Sequence, residues 1–214
     1  MDWGNIIMKN KIPSTFKDSL SFDWWKYLLT CIVFCVAWYY IYQSKDALKE
    51  YEIINIFTNT EIKKSDLFDD ILSIEKQQDI KEIKINNVGD DLYTNTLLQS
   101  KGLLDGDIFI VYDKYIDSLL KDRSYKFDET FNNEINSINP NVEYLTYGEN
   151  NIAVKLFDKE IEEYNNYFSI NQYFEFKETT YMLINSKSSN ADKDSNKIYS
   201  GCAFSVFLHI LKGN

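Results

Sequence analysis

The chain has 214 residues, of which 44% are hydrophobic and 16% aromatic, enough to fill the core of a packed domain and too many for a disordered one. Only seven Gly and two Pro occur, which excludes collagen-like and low-complexity sequences. The net charge is −10 overall and −11 after residue 42, so the larger part of the chain is repelled by phosphate backbones, and nucleic acid is excluded as an expected partner.

An apolar segment lies near the N-terminus, at residues 24–42, and no charged side chain occurs between residues 27 and 44. At about 1.5 Å per helical residue this segment spans roughly 27–30 Å, the thickness of the hydrocarbon layer of a bilayer. Aromatic residues that favour the headgroup regions stand at both ends, Trp24 and Trp25 at the first and Trp38 and Tyr39 at the second. The pattern predicts a single transmembrane helix whose partner is membrane lipid.

Three other interpretations of this segment were weighed. A buried core helix seldom runs uncharged for this length with aromatic residues at both ends. A cleaved signal peptide needs small residues at the position where Trp38, Tyr39 and Tyr40 stand. A lipoprotein signal ending at Cys31 has too short an apolar stretch before the cysteine.

The charges beside the segment predict its orientation. Four lysines precede or begin it, whereas Lys45 and Lys49 follow it among acidic residues. Because basic residues concentrate on the cytoplasmic side, we expect residues 1–23 to be a cytoplasmic tail. The protein is then a single-pass cell-membrane protein, with a stalk at residues 43–50 and an extracytoplasmic domain at residues 51–214.

Alternating strand and helix patterns fill the first half of that domain. Residues 107–113 are the clearest strand, because the continuous run Ile-Phe-Ile-Val-Tyr predicts burial on both faces. Residues 80–86 alternate apolar and polar side chains, which predicts an edge strand. In chain order we predict strand 51–58, helix 61–77, strand 80–86, helix 90–104 capped by Asp90 or Asp91, strand 107–113 and helix 114–121. This order is typical of parallel βαβ crossovers.

The second half is less regular. Residues 124–150 are polar and rich in Asn, and no element is predicted there. We predict strands at 151–157 and 180–185, a solvated loop at 187–197 and an amphipathic helix at 200–211. The predicted fold is an N-terminal transmembrane helix followed by a mainly parallel, three-layer α/β/α domain.

Motifs of catalysis and metal binding are weak in this sequence. His209 is the only histidine and lies in the last predicted helix with Cys202, so we expect both side chains to serve packing. The run Asp105-Gly106-Asp107 begins like a calcium loop, but Phe109 and Val111 occupy later ligand positions. We therefore predict no metal, no cofactor and no catalytic residue.

The region around the clearest strand resembles the extracytoplasmic solute-binding proteins of ABC transporters. The residues that carry the resemblance are the leucine-containing stretch 97–104, the turn Asp105-Gly106, the strand 107–112 and the helix 113–120. The entry to the span, Trp24-Trp25-Lys26-Tyr27, is similar to that of small Firmicutes membrane proteins with one such lobe. The resemblance covers residues 51 to about 123, and residues 179–211 weakly. It implies one lobe of a periplasmic-binding-protein fold, or one lobe and a stunted second, since 164 residues are about half of the family's two-lobed chain.

The expected function is a non-catalytic, membrane-anchored binding or interaction module with a small-molecule or protein partner. The alternatives are a structural or accessory subunit of a transporter or envelope complex, and an enzyme of unrecognised type. In parallel α/β sheets ligands bind beyond the carboxyl ends of the strands. The residues predicted by position to bind a ligand are Thr58, Asn59, Asn87, Asp113 and Tyr115.

Overall fold

The chain divides into two units, residues 1–47 and 48–214, and each is described by itself. The computed structural model describes residues 24–46, 48, 52–64, 69, 71–73, 80–160, 163–164, 170, 173–191 and 202–212. The predicted cytoplasmic tail, residues 1–23, lies outside the described residues.

Helix α1 (Trp24–Asp46) forms the described part of the first unit. Its apolar side chains point in all directions, and every side chain from residue 24 to residue 43 is exposed. Residues Trp24–Gln43 are long and apolar enough to cross a membrane. The predicted helix at residues 24–42 is thus confirmed as a helix. It continues to Asp46, so the predicted stalk is helical over its first four residues.

Three parallel strands form one half of the sheet: β1 (Ile53–Thr58), β3 (Glu82–Asn87) and β4 (Ile108–Tyr112). Strand β1 lies between the other two, with Ile54 opposite Ile83 and Phe57 opposite Phe109. The predicted edge position of β3 is confirmed, since β3 ends the sheet order. All five residues of β4 are buried, as its apolar run predicts.

The other half of the sheet is antiparallel. The strands are β5 (Tyr144–Tyr147), β6 (Asn150–Asp158), β7 (Glu163–Tyr164) and β9 (Thr180–Ile184). The order is β3-β1-β4-β9-β6-β5, with antiparallel pairing from β4 onward and β7 paired to the end of β6. The prediction of a mainly parallel sheet is therefore wrong for this half. Within this half β5 and β6 form a hairpin, and Gly148 in its turn takes φ +65°.

Helical segments predicted in the first half are shorter than expected. The predicted helix at 61–77 is wrong at its start, where β2 (Glu61–Ile62) pairs with β8 (Phe174–Glu175). Residues 71–73 are helical, and most of the remainder lies outside the described residues. The predicted helix at 90–104 begins later, with α2 (Thr94–Leu97), a π-helical segment (Leu98–Gly102) and α3 (Leu103–Asp105).

Two aspartates begin the next helices. Asp117 accepts a hydrogen bond from the Leu120 N–H at 2.9 Å and starts α4 (Ser118–Arg123), which follows a 3-10 turn at Asp113–Tyr115. Asp128 accepts one from the Phe131 N–H at 2.7 Å and starts α5 (Glu129–Ile138), a helix that the polar composition of residues 124–150 concealed. The last predicted helix is confirmed as α6 (Cys202–Lys212).

Helices cover both faces of the sheet. On one face α5 and α6 bury an aromatic cluster around Phe131, whose ring lies 5.1 Å from Phe127, 5.0 Å from Phe204 and 5.5 Å from Phe207. On the other face Leu98 and Leu120 pack over Phe57, Phe109 and Val111. Alternate residues of each central strand thus enter opposite clusters, as the pleat requires.

The aromatic cluster predicts the effect of one core substitution. Phe131→Ala should lower the free energy of unfolding by about 3–5 kcal/mol, because it leaves a cavity among three rings. Urea unfolding of the detergent-solubilised chain, followed by circular dichroism, measures the change.

Leu119→Ala is the control, since Leu119 is 41% exposed and its truncation should cost well under half as much. Equal losses for the two variants would contradict the assignment of this cluster as the core.

Candidate functional site

The residues predicted to bind a ligand lie where the parallel strands end. Thr58 is fully buried, and its hydroxyl lies 2.7 Å from that of Thr60. Asn87 is exposed, yet its Nδ2 donates to the Thr60 carbonyl at 3.1 Å. The structure thus connects the ends of β1 and β3 through Thr60, a residue that the sequence analysis did not select.

Asn59 links the ends of β1 and β4. Its Oδ1 accepts a hydrogen bond from the Tyr112 N–H at 3.1 Å, which fixes the orientation of the amide. Its Nδ2 is buried and has no hydrogen-bond partner among the described residues. A buried donor without a partner costs about 1–3 kcal/mol, so this group is a strained feature of the edge.

Tyr115 belongs to a charged cluster with Asp90 and Lys114. The Tyr115 hydroxyl donates to Asp90 at 2.5 Å, and the Lys114 ammonium lies 2.8 Å from the same carboxylate. The hydrogen bond from Lys114, followed by that from Tyr115, lowers the pKa of Asp90. Burial, followed by the bond to Asp90, raises the pKa of Tyr115.

These contacts close the carboxyl end of the parallel strands. The cavity that Tyr115 lines is about 10 Å³, smaller than any organic ligand. Asp113 is exposed, and its carboxylate has no partner among the described residues. The structure places the five predicted residues at the carboxyl ends of the parallel strands, and their role in ligand binding stays a prediction.

A larger opening lies on the face of the sheet beside the edge strand. This groove has a volume of about 360 Å³, within the range of small-molecule sites. Residues at alternate positions of neighbouring strands share a face, and the register sets Asn55 beside Lys84 and Phe57 beside Asn86. The groove is lined by Ile53, Asn55, Phe57, Lys84, Asn86, Lys101 and Asp105.

The helical segment over this face forms the other wall of the groove. Lys101 and Asp105 are four residues apart, so both side chains lie on one side of the segment. The end of this helical segment packs closely against the sheet, because a Cβ on Gly106 would lie 2.5 Å from the Gly102 carbonyl oxygen and 3.0 Å from the Phe57 ring. Glycine is therefore required at this position.

A small polar cavity adjoins the groove. Its volume is about 20 Å³, room for one water molecule, and it shares Asn55 and Asp105 with the groove. Its remaining lining comes from the start of β4 and from the loop after β9: Leu104, Gly106, Asp107, Lys187, Ser188, Ser189 and Asn190.

The buried carboxylate of Asp107 organises this cavity. It accepts hydrogen bonds from the Asn55 N–H at 2.7 Å, from Asn190 Nδ2 at 3.1 Å and from the Ser188 hydroxyl. Asn190 Nδ2 also donates to the Ile53 carbonyl at 3.0 Å. Since both of its partners are acceptors, the amide orientation is fixed, and Asn190 Oδ1 is left buried without a hydrogen-bond partner in the part of the chain that the structure describes.

This second site is not predicted by the sequence. The solvated loop predicted at residues 187–197 is wrong at its start, because Asn190 is only 1% exposed and Ala191 is 4% exposed. Asp107, immediately before the apolar run of β4, was the available signal. An aspartate at the start of a strand buried on both faces needs several donors close by.

The remaining motifs of the sequence take structural positions. Cys202 is buried in α6. One ring nitrogen of His209 lies 2.9 Å from the Ser205 carbonyl oxygen, within the same helix. Among the described residues no group of His, Cys, Asp and Glu side chains is arranged to hold a metal ion.

Comparisons with protein-family models, with curated proteins and with solved structures gave no match. The resemblance to solute-binding proteins therefore stays a prediction from the sequence.

The charged cluster at the carboxyl end predicts a pH effect. Because the pKa of Asp90 is lowered in the folded chain, its contribution to stability is present above the ordinary Asp pKa and is lost as the pH falls through the lowered value. Lys114→Gln should raise the pKa of Asp90 toward its usual range. A carboxyl NMR titration of the labelled chain measures this shift.

Lys126→Gln is the matched control, because Lys126 is exposed and the pKa of Asp90 should not respond to it. An unchanged Asp90 pKa in Lys114→Gln would contradict the geometry of this cluster.

Proposed function

We propose that the protein is a membrane-anchored, non-catalytic binding module whose α/β domain lies outside the cytoplasm and resembles one lobe of a solute-binding protein. The observation that carries the proposal is the groove beside the edge strand. Its volume suits a small molecule, and the side chains of Asn55, Asn86, Lys101 and Asp105 have no hydrogen-bond or ion-pair partner among the described residues. Polar groups that converge without mutual contacts are free to bind a ligand.

The anchor of the module is α1. Its 20-residue apolar part, Trp24–Gln43, is about 30 Å long, and Trp and Tyr side chains stand at both ends. Exposed apolar side chains on every face are unfavourable in water and favourable in lipid. The lysines on its N-terminal side favour an outward-facing α/β domain.

A second candidate is a structural or accessory subunit of a membrane complex. Leu92, Tyr93 and Leu104 favour it, because these side chains are 95%, 70% and 79% exposed. Exposed apolar side chains of this size are typical of protein contact surfaces when they are contiguous.

Membrane anchoring predicts the result of an extraction experiment. The full-length chain should stay with the membrane pellet in alkaline carbonate, whereas the double variant Val33→Lys, Val36→Lys should be released, since each lysine at the centre of a span costs about 3 kcal/mol. Release of the unsubstituted chain, or retention of both, would contradict an anchor made by α1.

Orientation is tested by cysteine labelling in intact cells. Ser189→Cys adds an exposed thiol to the α/β domain, where the native Cys202 is buried. An impermeant maleimide should label Ser189→Cys before lysis and Lys9→Cys after lysis only. The reverse order of labelling would place the α/β domain in the cytoplasm.

Ligand binding is tested by thermal shift of the full chain in nanodiscs, against pools of small metabolites and short peptides. A ligand at 100 times its Kd stabilises the folded state by about 2.7 kcal/mol, which raises the melting temperature by several degrees. If no pool changes the melting temperature, the accessory-subunit candidate replaces the binding module.

A further inference from the structure

We infer that the groove and its adjoining cavity bind a molecule in which a primary ammonium group is joined by a short linker to an anionic group. The inference rests on the proposed binding function and specifies its ligand. The same chemistry occurs in free solutes such as phosphoethanolamine and in the headgroup of phosphatidylethanolamine, and the experiment below separates these two sources.

The ammonium group fits the small cavity. Asn190 Oδ1 is a buried acceptor that lacks a donor, and the Asp105 carboxylate lines the same cavity. The opening of about 20 Å³ admits a group the size of a water molecule. A primary ammonium group has this size, carries three N–H donors and supplies the charge that Asp105 attracts. Hydrogen bonds from Asn55, Ser188 and Asn190 engage Asp107, whereas Asp105 is the carboxylate that lines both the cavity and the groove.

The anionic group fits the outer part of the groove. Lys84 and Lys101 place two ammonium groups there, within a domain whose overall charge repels anions. Lys84 is only loosely paired, at 3.4 Å from Glu82, with both side chains more than 40% exposed. The amide groups of Asn55 and Asn86 add neutral donors on the same face. A carboxylate or phosphate that binds here can therefore replace part of its hydrogen bonds to water with hydrogen bonds to these groups.

The floor between these two positions is apolar. Ile53 and Phe57 are the β1 residues on either side of Asn55 on this face, and both line the groove. A linker of a few CH₂ groups covers them and gains about 0.8 kcal/mol for each CH₂ that is buried. A ligand with two polar ends and an apolar linker thus matches the order of polar and apolar side chains along the groove.

Lys187 lines the small cavity as well, and its exposed ammonium competes with a ligand for Asp105. This position has a measurable consequence. Lys187→Met should strengthen binding of an ammonium ligand, whereas it should weaken binding if Lys187 itself contacted the anionic group.

The experiment uses the full chain in phosphatidylcholine nanodiscs, with phosphoethanolamine and β-alanine as probes in calorimetric titrations. Phosphocholine is the matched control ligand, since its trimethylammonium group has no N–H donor and is too large for the cavity. Phosphoethanolamine should bind at least tenfold more tightly than phosphocholine. Equal affinities, or binding of phosphocholine alone, would overturn the inference.

Variants locate the binding in the groove. Asp105→Asn and Lys101→Gln should each weaken phosphoethanolamine binding by tenfold or more. Glu129→Gln and Lys126→Gln are matched controls at exposed positions on other parts of the domain, and they should leave the affinity unchanged. All four sites are exposed, so circular dichroism should show equal folding. Unchanged affinity in both groove variants would refute the site.

Two further comparisons are needed. One distinguishes a free solute from a lipid headgroup as the ligand, and the other distinguishes failure of this inference from failure of the proposed function. If the headgroup is the natural ligand, nanodiscs that contain phosphatidylethanolamine will compete with free phosphoethanolamine and lower its apparent affinity. A free solute as the ligand predicts no competition. If neither probe binds but the metabolite pools yield another ligand, this inference fails and the proposed binding function stands. If nothing binds in either experiment, both fail.

Discussion

The buried carboxylate of Asp107 is the interaction on which the arrangement of the α/β domain depends most. It lies where β4 begins, and its oxygens accept hydrogen bonds from the β1 backbone and from two residues of the loop after β9. A buried charge is tolerated only when donors surround it, so these three segments must meet at one point. Asn185 strengthens the junction, because its Nδ2 donates to the Gly106 carbonyl at 2.8 Å. The parallel and antiparallel halves of the sheet are thereby joined at the same place.

The two ends of the parallel strands are consequently different in character. At the carboxyl end, Thr58 and Asn87 form hydrogen bonds with Thr60, and Asp90 is paired with Lys114. At the amino end, the nearby donors form hydrogen bonds with Asp107. Asn190 Oδ1 remains a buried acceptor without a donor among the described residues, next to the groove. Among the described residues, each end thus holds one buried amide group without a hydrogen-bond partner, the donor of Asn59 and the acceptor of Asn190. The acceptor belongs to a residue that lines the small cavity beside the groove.

Strong, local patterns in the sequence predicted the fold where tertiary contacts agreed with them. The apolar runs of α1 and β4, the alternation of β3 and the amphipathic pattern of α6 each predict an element that the structure contains. The antiparallel pairing of β4 with β9 could not be predicted, because the local sequence does not specify which strand pairs with β4. The helix α5 was not predicted, because its two buried residues, Phe131 and Ile135, stand among polar ones and give only a short apolar stripe. The groove was not predicted for a related reason: its lining comes from three segments, and no single one carries a motif.

The π-helical segment at Leu98–Gly102 has a consequence for the evolution and engineering of this domain. A π turn contains one residue more than an α turn, so the residues after it are rotated by about 100° relative to a regular helix. Lys101 within this segment and Asp105 shortly after it both line the groove. Deleting one position from the segment would restore uniform winding and rotate the residues on its two sides relative to each other, with the hydrophobic composition of the chain almost unchanged. The lining of the groove is therefore sensitive to a single insertion or deletion in this segment, and related chains that differ there would share a scaffold without sharing the same groove.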